Sequence, residues 1–223
     1  MSHTVVIENI ERVTHDVRKY TFEKPIGYTY EPGQATEVAV DKKGWRDEKR
    51  PFTFTSLKKS GHLQFIIKSY PDHNGVTEQI SKLQEGDAFV IDEPWGTIQY
   101  KGPGVFLAGG AGVTPFIAIL RDLYKKEEIG GNKLIFSNKT EKDIILEDEF
   151  SNMLGENFIN VITDEETDQY TNLDGFIDKD FLADQINDFD QPFYVCGPPA
   201  FNDAMIEYLK DLGADPSELV FEE

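Results

Sequence analysis

Four short stretches of this 223-residue chain combine residue types suited to phosphate and ring chemistry. Arg50-Pro51-Phe52-Thr53-Phe54-Thr55-Ser56 supplies a cation, an aromatic ring and hydroxyls in close succession. On a strand, side chains alternate, so Arg50 and Phe52 would share a face. Asn74-Gly75-Val76-Thr77 precedes an apolar-periodic stretch with Ile80 and Leu83, and can present N–H groups and a hydroxyl to a phosphate. Gly109-Gly110-Ala111-Gly112-Val113-Thr114-Pro115 follows a short apolar run and opens a helical one. Glycines there let the backbone approach a pyrophosphate, and the helix N-terminus adds unpaired N–H groups. The loop lacks the final glycine of the standard dinucleotide fingerprint and has Pro115 instead. Cys196-Gly197-Pro198-Pro199 ends another apolar run, and open parallel sheets bind ligands at the carboxyl ends of their strands. Alone, each stretch also has an ordinary reading: an amphipathic strand, a capped helix, a tight strand–helix turn, a sharp turn with a buried thiol.

The elements that must position these stretches differ between the two halves. In the first, Thr36, Val38 and Val40 alternate with Ala35, Glu37 and Ala39, and Leu63, Phe65 and Ile67 repeat the period. Turn pairs recur at Pro32-Gly33, Lys43-Gly44, Ser60-Gly61, Asn74-Gly75 and Glu85-Gly86, which predicts a small antiparallel β-barrel of Greek-key type. In the second, a strand at Val105–Ala108 leads to a helix with Phe116, Ile119, Leu120 and Leu123 at helical spacing. Strand Lys133–Phe136, a helix over 147–154, strand Phe158–Thr163, strand Phe193–Cys196, a helix with Met205, Ile206, Leu209 and Leu212, and strand Leu219–Phe221 follow. Such alternation predicts an α/β domain with a parallel sheet covered on both faces. The boundary falls at Lys101-Gly102-Pro103-Gly104, giving a barrel domain over 1–101 and a nucleotide-binding domain over 102–223.

Charge divides the same way. Residues 1–101 carry 14 Lys/Arg and 15 Asp/Glu, whereas 102–223 carry 8 and 26. The acidic half is a poor nucleic-acid binder, since phosphate contacts need Lys and Arg; the acidity equally serves solubility. A lone cysteine, Cys196, forms no intrachain disulfide and fits a reducing compartment. Neither it nor the four histidines gives metal-ligand spacing, and a four-thiolate iron–sulfur cluster is excluded. No stretch nears the roughly 20 apolar residues of a membrane helix, and Met1-Ser2-His3-Thr4 runs directly into strand-like Val5-Val6-Ile7. The expectation is a cytoplasmic monomer without a signal peptide or metal.

Taken in order, the motifs resemble the ferredoxin–NAD(P) reductase superfamily, from Glu31-Pro32-Gly33-Gln34 to Glu222. Arg50-Pro51-Phe52-Thr53 is similar to its barrel pattern Arg-x-Tyr-Ser/Thr, Gly112–Pro115 to its Gly-x-x-Pro loop, and residues 196–199 to its Cys-Gly-Pro-Pro. Asn138-Lys139-Thr140-Glu141-Lys142-Asp143-Ile144 and Ile67-Lys68-Ser69-Tyr70 are similar to the cytochrome b5 reductase branch. The resemblance implies that Arg50 holds the flavin diphosphate, Phe52 lines the isoalloxazine, Thr53 bonds near N5, and Gly75, Val76 and Thr77 cradle the pyrophosphate. It adds Pro51, Ile67, Lys68, Tyr70 and Asn74 to the flavin-binding set. Gly110, Gly112, Thr114 and Pro115 would meet the nicotinamide dinucleotide, together with Gly197 and Pro198. Cys196 would lie beside the nicotinamide with Glu222 nearby, and Thr53, Cys196 and Glu222 form the implied catalytic set. The chain departs from the pattern at Phe52, which lacks the usual phenol, and ends at Glu223 without the terminal aromatic of many relatives.

The implied cofactor is FAD rather than FMN, with NADH favoured over NADPH because Asp164, in the run Thr163-Asp164-Glu165-Glu166, stands where NADPH users carry Ser-Arg. The implied activity is hydride transfer from the dinucleotide to flavin, then single electrons to ferredoxin, flavodoxin or a cytochrome. Two other readings stay open: reduction of free flavin, ferric chelates or quinones, and a non-catalytic flavin-binding regulatory subunit. Lys42, Lys43, Arg46, Lys49, Lys58 and Lys59 cluster around the flavin motif and suit an acidic protein partner; a solvated loop suits them equally.

Overall fold

The computed structural model describes residues 2–70, 73–96, 98–172 and 176–221. It divides into two compact units, Met1–Gly96 with Thr114–Asp122, and Thr97–Val113 with Leu123–Glu223.

The first unit is an antiparallel sheet of six strands, nearly closed on itself: β1 (His3–Arg12), β2 (Val17–Glu23), β3 (Ala35–Val40), β4 (Arg50–Thr53), β5 (His62–Lys68) and β6 (Ala88–Ile91). Their order is β4-β3-β6-β1-β2-β5. Beyond the end of β4, the Thr55 N–H donates to the Gln64 carbonyl of β5 at 2.9 Å, and the Gln64 N–H donates to the Ser56 hydroxyl at 3.0 Å, which draws the two ends of the order together. The alternation read from the sequence turns Val38, Leu63, Phe65 and Ile67 inward, where they join Phe22, Phe54 and Phe89 in one core. Phe22 and Phe89 lie 5.0 Å apart by ring centroid, and Tyr30 stacks on Phe54 at 4.2 Å. Helix α1 (Val76–Ser81) packs on β3 and buries Val76 and Ile80 in that core.

The second unit carries β7 (Val105–Gly109), β8 (Lys133–Asn138), β9 (Phe158–Ile162), β10 (Thr171–Asn172), β11 (Phe193–Cys196) and β12 (Leu219–Phe221), all parallel, in the order β10-β9-β8-β7-β11-β12. Its helices are α2 (Thr114–Lys125), whose first turns count with the first unit, α3 (Glu147–Leu154), α4 (Lys179–Gln185) and α5 (Pro199–Asp211). One sheet face packs Leu107, Ile135, Val161 and Val195 against Leu182 of α4 and Met205 and Leu209 of α5. From β7 the chain steps outward through β8 and β9, then returns to lay β11 on the other side of β7. That reversal between β7 and β11 is a topological switch point, where open α/β sheets leave a crevice for ligands.

Short elements without a strong apolar period escape the sequence reading: two-residue β10 and α4, which buries only Leu182. An N-cap marks α4 nonetheless, since the Asp178 carboxylate accepts from the Phe181 N–H at 2.8 Å.

Candidate cofactor sites

In the first unit, β4 pairs with β3 so that Arg50 faces Val38, Phe52 faces Thr36 and Thr53 faces Ala35. Arg50 is exposed, and one guanidinium nitrogen donates to the Lys49 carbonyl at 2.6 Å, leaving further donors of the planar fork for an anion. Phe52 is half-buried against the barrel core, Pro51 is exposed, and Thr53 is 8% exposed with no hydrogen bond to its hydroxyl among the described residues. Just before α1, which packs on β3, Asn74 takes a left-handed φ of 48° and Gly75 caps the helix without any side-chain hydrogen bond to its end. The Glu78 carboxylate in the first turn of α1 accepts from the Asn74 N–H, so one donor of this turn is already engaged. A barrel strand with an exposed guanidinium, a half-buried ring and a hydroxyl without a hydrogen bond among the described residues suits a flavin diphosphate. Of the other residues expected here, Ile67 contributes its side chain to the barrel core, Lys68 pairs with Asp16 at 3.1 Å, and Tyr70 lies 5.6 Å from His73 by ring centroid.

In the second unit, the two glycine-bearing loops leave the carboxyl ends of β7 and β11, the strands that flank the switch point. They are packed back to back. A Cβ on Gly112 would lie 2.2 Å from the Cys196 carbonyl oxygen, and one on Gly197 would lie 2.5 Å from the Phe201 ring. Only glycine permits that approach. Gly110 holds a φ of +53° with open space beyond it, so the backbone there is accessible. A 3-10 turn, Gly110–Val113, leads into Thr114 and buried Pro115 at the start of α2. Cys196 is 7% exposed at the end of β11, and Pro198 caps α5. Glu222 lies outside the described residues.

Beside this seat, the register of β8 and β9 continues past the strand ends. The Thr163 N–H donates to the Asn138 carbonyl at 3.0 Å and the Asp164 N–H to the Lys139 carbonyl at 2.9 Å. Lys139 Nζ lies 3.7 Å from Asp164 Oδ2. The neighbouring carboxylates are turned elsewhere. Glu165 accepts from the Glu141 N–H at 3.0 Å, the Thr167 hydroxyl bonds Glu141, and the Tyr170 hydroxyl bonds Glu147. Desolvation, followed by the hydrogen bond with Glu147 and then its charge, pushes the Tyr170 phenol up to about 12.

Residues 4–100 match the model of an oxidoreductase FAD-binding domain and residues 106–207 that of an oxidoreductase NAD-binding domain. The chain belongs to the ferredoxin–NAD(P) reductase superfamily. Within that superfamily it is 31% identical over 192 residues to a plasma membrane-associated coenzyme Q6 reductase of Saccharomyces cerevisiae, covering 80% of this chain and 60% of that one. It is 31% identical to an NADH-cytochrome b5 reductase 1 of Mortierella alpina, covering 82% of this chain and 64% of that one. The chain thus spans about three-fifths of the length of such relatives. The fold is shared with a ferredoxin NADP+ reductase of Neisseria gonorrhoeae solved with FAD and NADP, with a TM-score of 0.85, 20% identity, and coverage of 99% of this chain and 98% of that one.

The cation cluster around β4 is largely compensated. Lys42 holds Asp87 at 3.1 Å, Arg46 holds Asp41 at 2.5 Å, Lys49 holds Asp92 at 2.5 Å, and Lys58 holds Glu31. Three of those carboxylates are more than 25 positions away in the chain, so the sequence displays the cations as a cluster and hides their partners.

Proposed function

We propose that this chain is an NAD(P)H-dependent flavoprotein reductase, loaded with FAD, that takes reducing equivalents from NADH and delivers them to an electron acceptor. The observation that carries the reading is that one chain combines an FAD-binding and an NAD-binding domain. Bound flavin supplies the conversion of a hydride into single electrons. The protein's own residues do the rest. Arg50 and the Asn74–Thr77 turn would hold the diphosphate, and Phe52 and the Thr53 hydroxyl would line the flavin ring. The Gly110–Pro115 loop and Gly197-Pro198 would hold the dinucleotide, with Cys196 beside its nicotinamide. The free Thr53 hydroxyl and the thiol speak against a merely regulatory flavin binder.

Two acceptor classes compete. Electron-transfer relatives, such as the toluate 1,2-dioxygenase component of Pseudomonas putida, point to a protein acceptor. The paired cations around β4, and a relative named for coenzyme Q6 reduction, favour a quinone or another small acceptor. The NADH preference rests on Asp164, whose carboxylate can accept from a ribose 2′-OH and repels a 2′-phosphate. Cytoplasmic residence is proposed as well; among the described residues no helix is long and apolar enough to cross a membrane.

The test is a visible spectrum of the purified protein with extraction and mass of the cofactor, followed by kcat/KM for NADH and NADPH. FAD and a higher value for NADH are expected. No flavin bound after reconstitution overturns the reading, and equal use of both dinucleotides removes Asp164 from it.

A further inference from the structure

The three carboxylates that follow β9 do different work. Glu165 is committed to the Glu141 backbone, and Glu141 is in turn tied to Thr167, so both serve to hold the loop. Asp164 faces the Lys139 ammonium. The continued register sets Asp164 and Lys139 side by side at the carboxyl ends of β9 and β8, the edge at which dinucleotides bind. Their side chains are 55% and 79% exposed, and an exposed pair 3.7 Å apart adds little stability. Lys139 therefore remains free to swing to another anion, and an ammonium on a flexible stem is a competent phosphate binder.

We infer that Lys139 is a latent 2′-phosphate-binding residue that Asp164 keeps neutralised, so that the pair rather than the carboxylate alone sets the choice of dinucleotide. This rests on the reading of the β9 end as the adenosine-ribose seat. Asp164 acts twice: it repels a 2′-phosphate directly, and it pairs with the Lys139 ammonium that would receive it. Removing its charge reverses both effects without importing an arginine. Lys142, in the same turn as Glu141, is the rival cation.

The experiment measures NAD+ and NADP+ affinity of the FAD-loaded protein by titration calorimetry, which needs no turnover, for wild type, Asp164→Asn, Asp164→Arg, and Asp164→Asn combined with Lys139→Gln or with Lys142→Gln. Asp164→Asn should tighten NADP+ on the order of five-fold or more, the factor that one carboxylate about 4 Å from a phosphate charge produces in water. Adding Lys139→Gln should remove the part of the gain that the ammonium supplies and leave only the relief of direct repulsion, and adding Lys142→Gln should leave the whole gain intact. A gain undiminished by Lys139→Gln, or one reduced by Lys142→Gln instead, overturns the inference while the ribose seat stands. So does a gain in Asp164→Arg with none in Asp164→Asn. No gain in either single variant overturns the ribose seat itself, and the inference with it.

Discussion

Gly112 and Cys196 are separated by more than eighty positions, yet their backbones lie close enough that a single methyl group cannot fit between them. Gly112→Ala should therefore force the two loops apart. The expected result is a loss of dinucleotide affinity of tenfold or more with flavin content unchanged, read by NAD+ titration of the FAD-loaded protein; an unaltered affinity would show that the loop spacing does not matter. Cys196→Ala removes the thiol and leaves the backbone contact. It should retain flavin and dinucleotide binding and slow flavin reduction by NADH in stopped flow, and an unchanged rate would remove the thiol from the site. Arg50→Ala should lower FAD occupancy more than turnover per bound flavin, because the guanidinium contributes a charge-assisted bond to the diphosphate and nothing to the reacting ring. Occupancy at the wild-type level with reduced turnover would contradict that role. Most of these residues are legible in the sequence because glycine, proline and arginine motifs are local. What the sequence hides at this scale is pairing: Lys139 reads as a free cation until Asp164 is seen beside it, and Lys49 until Asp92 is.

At the scale of elements, strong periodicity was decisive. The helix over 147–154 and the strands at Phe193–Cys196 and Leu219–Phe221 occur where alternation and apolar spacing put them, since each buries a definite face. Strand order and register were not legible, because they depend on which faces meet across long stretches of chain. The barrel also places its tyrosines where only tertiary contact can. Tyr28 donates to the Asp92 carbonyl at 2.6 Å, and desolvation by burial pushes its phenol up to about 12, against a gentler pull down from Thr36. Tyr20 and Tyr30 are raised for the same cause. An unfolded tyrosine ionises near pH 10. The folded barrel resists that ionisation, so the contribution is complete below pH 10 and is lost as pH rises from about 10 to about 12. Urea midpoints should fall across that window, and Tyr28→Phe should flatten the decline while lowering stability at neutral pH by about 1 kcal/mol for the lost hydrogen bond. An equally steep decline in the variant would assign the effect to other groups.

For the whole molecule, charge is divided unevenly, with 8 basic and 26 acidic residues over 102–223 and near balance before that. The compensated cations around β4 leave little net positive field to steer an acidic protein, and steering is what ionic strength screens. Acceptor reduction should therefore fall less than about tenfold between 50 and 500 mM salt, against the steep dependence that steered association shows; a steeper fall in stopped-flow rates would show that a cationic face operates despite its ion pairs. The two flanks of the parallel sheet carry a separate consequence. An edge strand is a template for another chain in proportion to the length of backbone it leaves unpaired. Among the described residues the flanks are β10, with two residues, and β12, with three. Borders of that length present few successive donors and acceptors to a foreign strand, and the acidic surface sets like charge between copies. Lengthening either described border would give a foreign strand more backbone to hold.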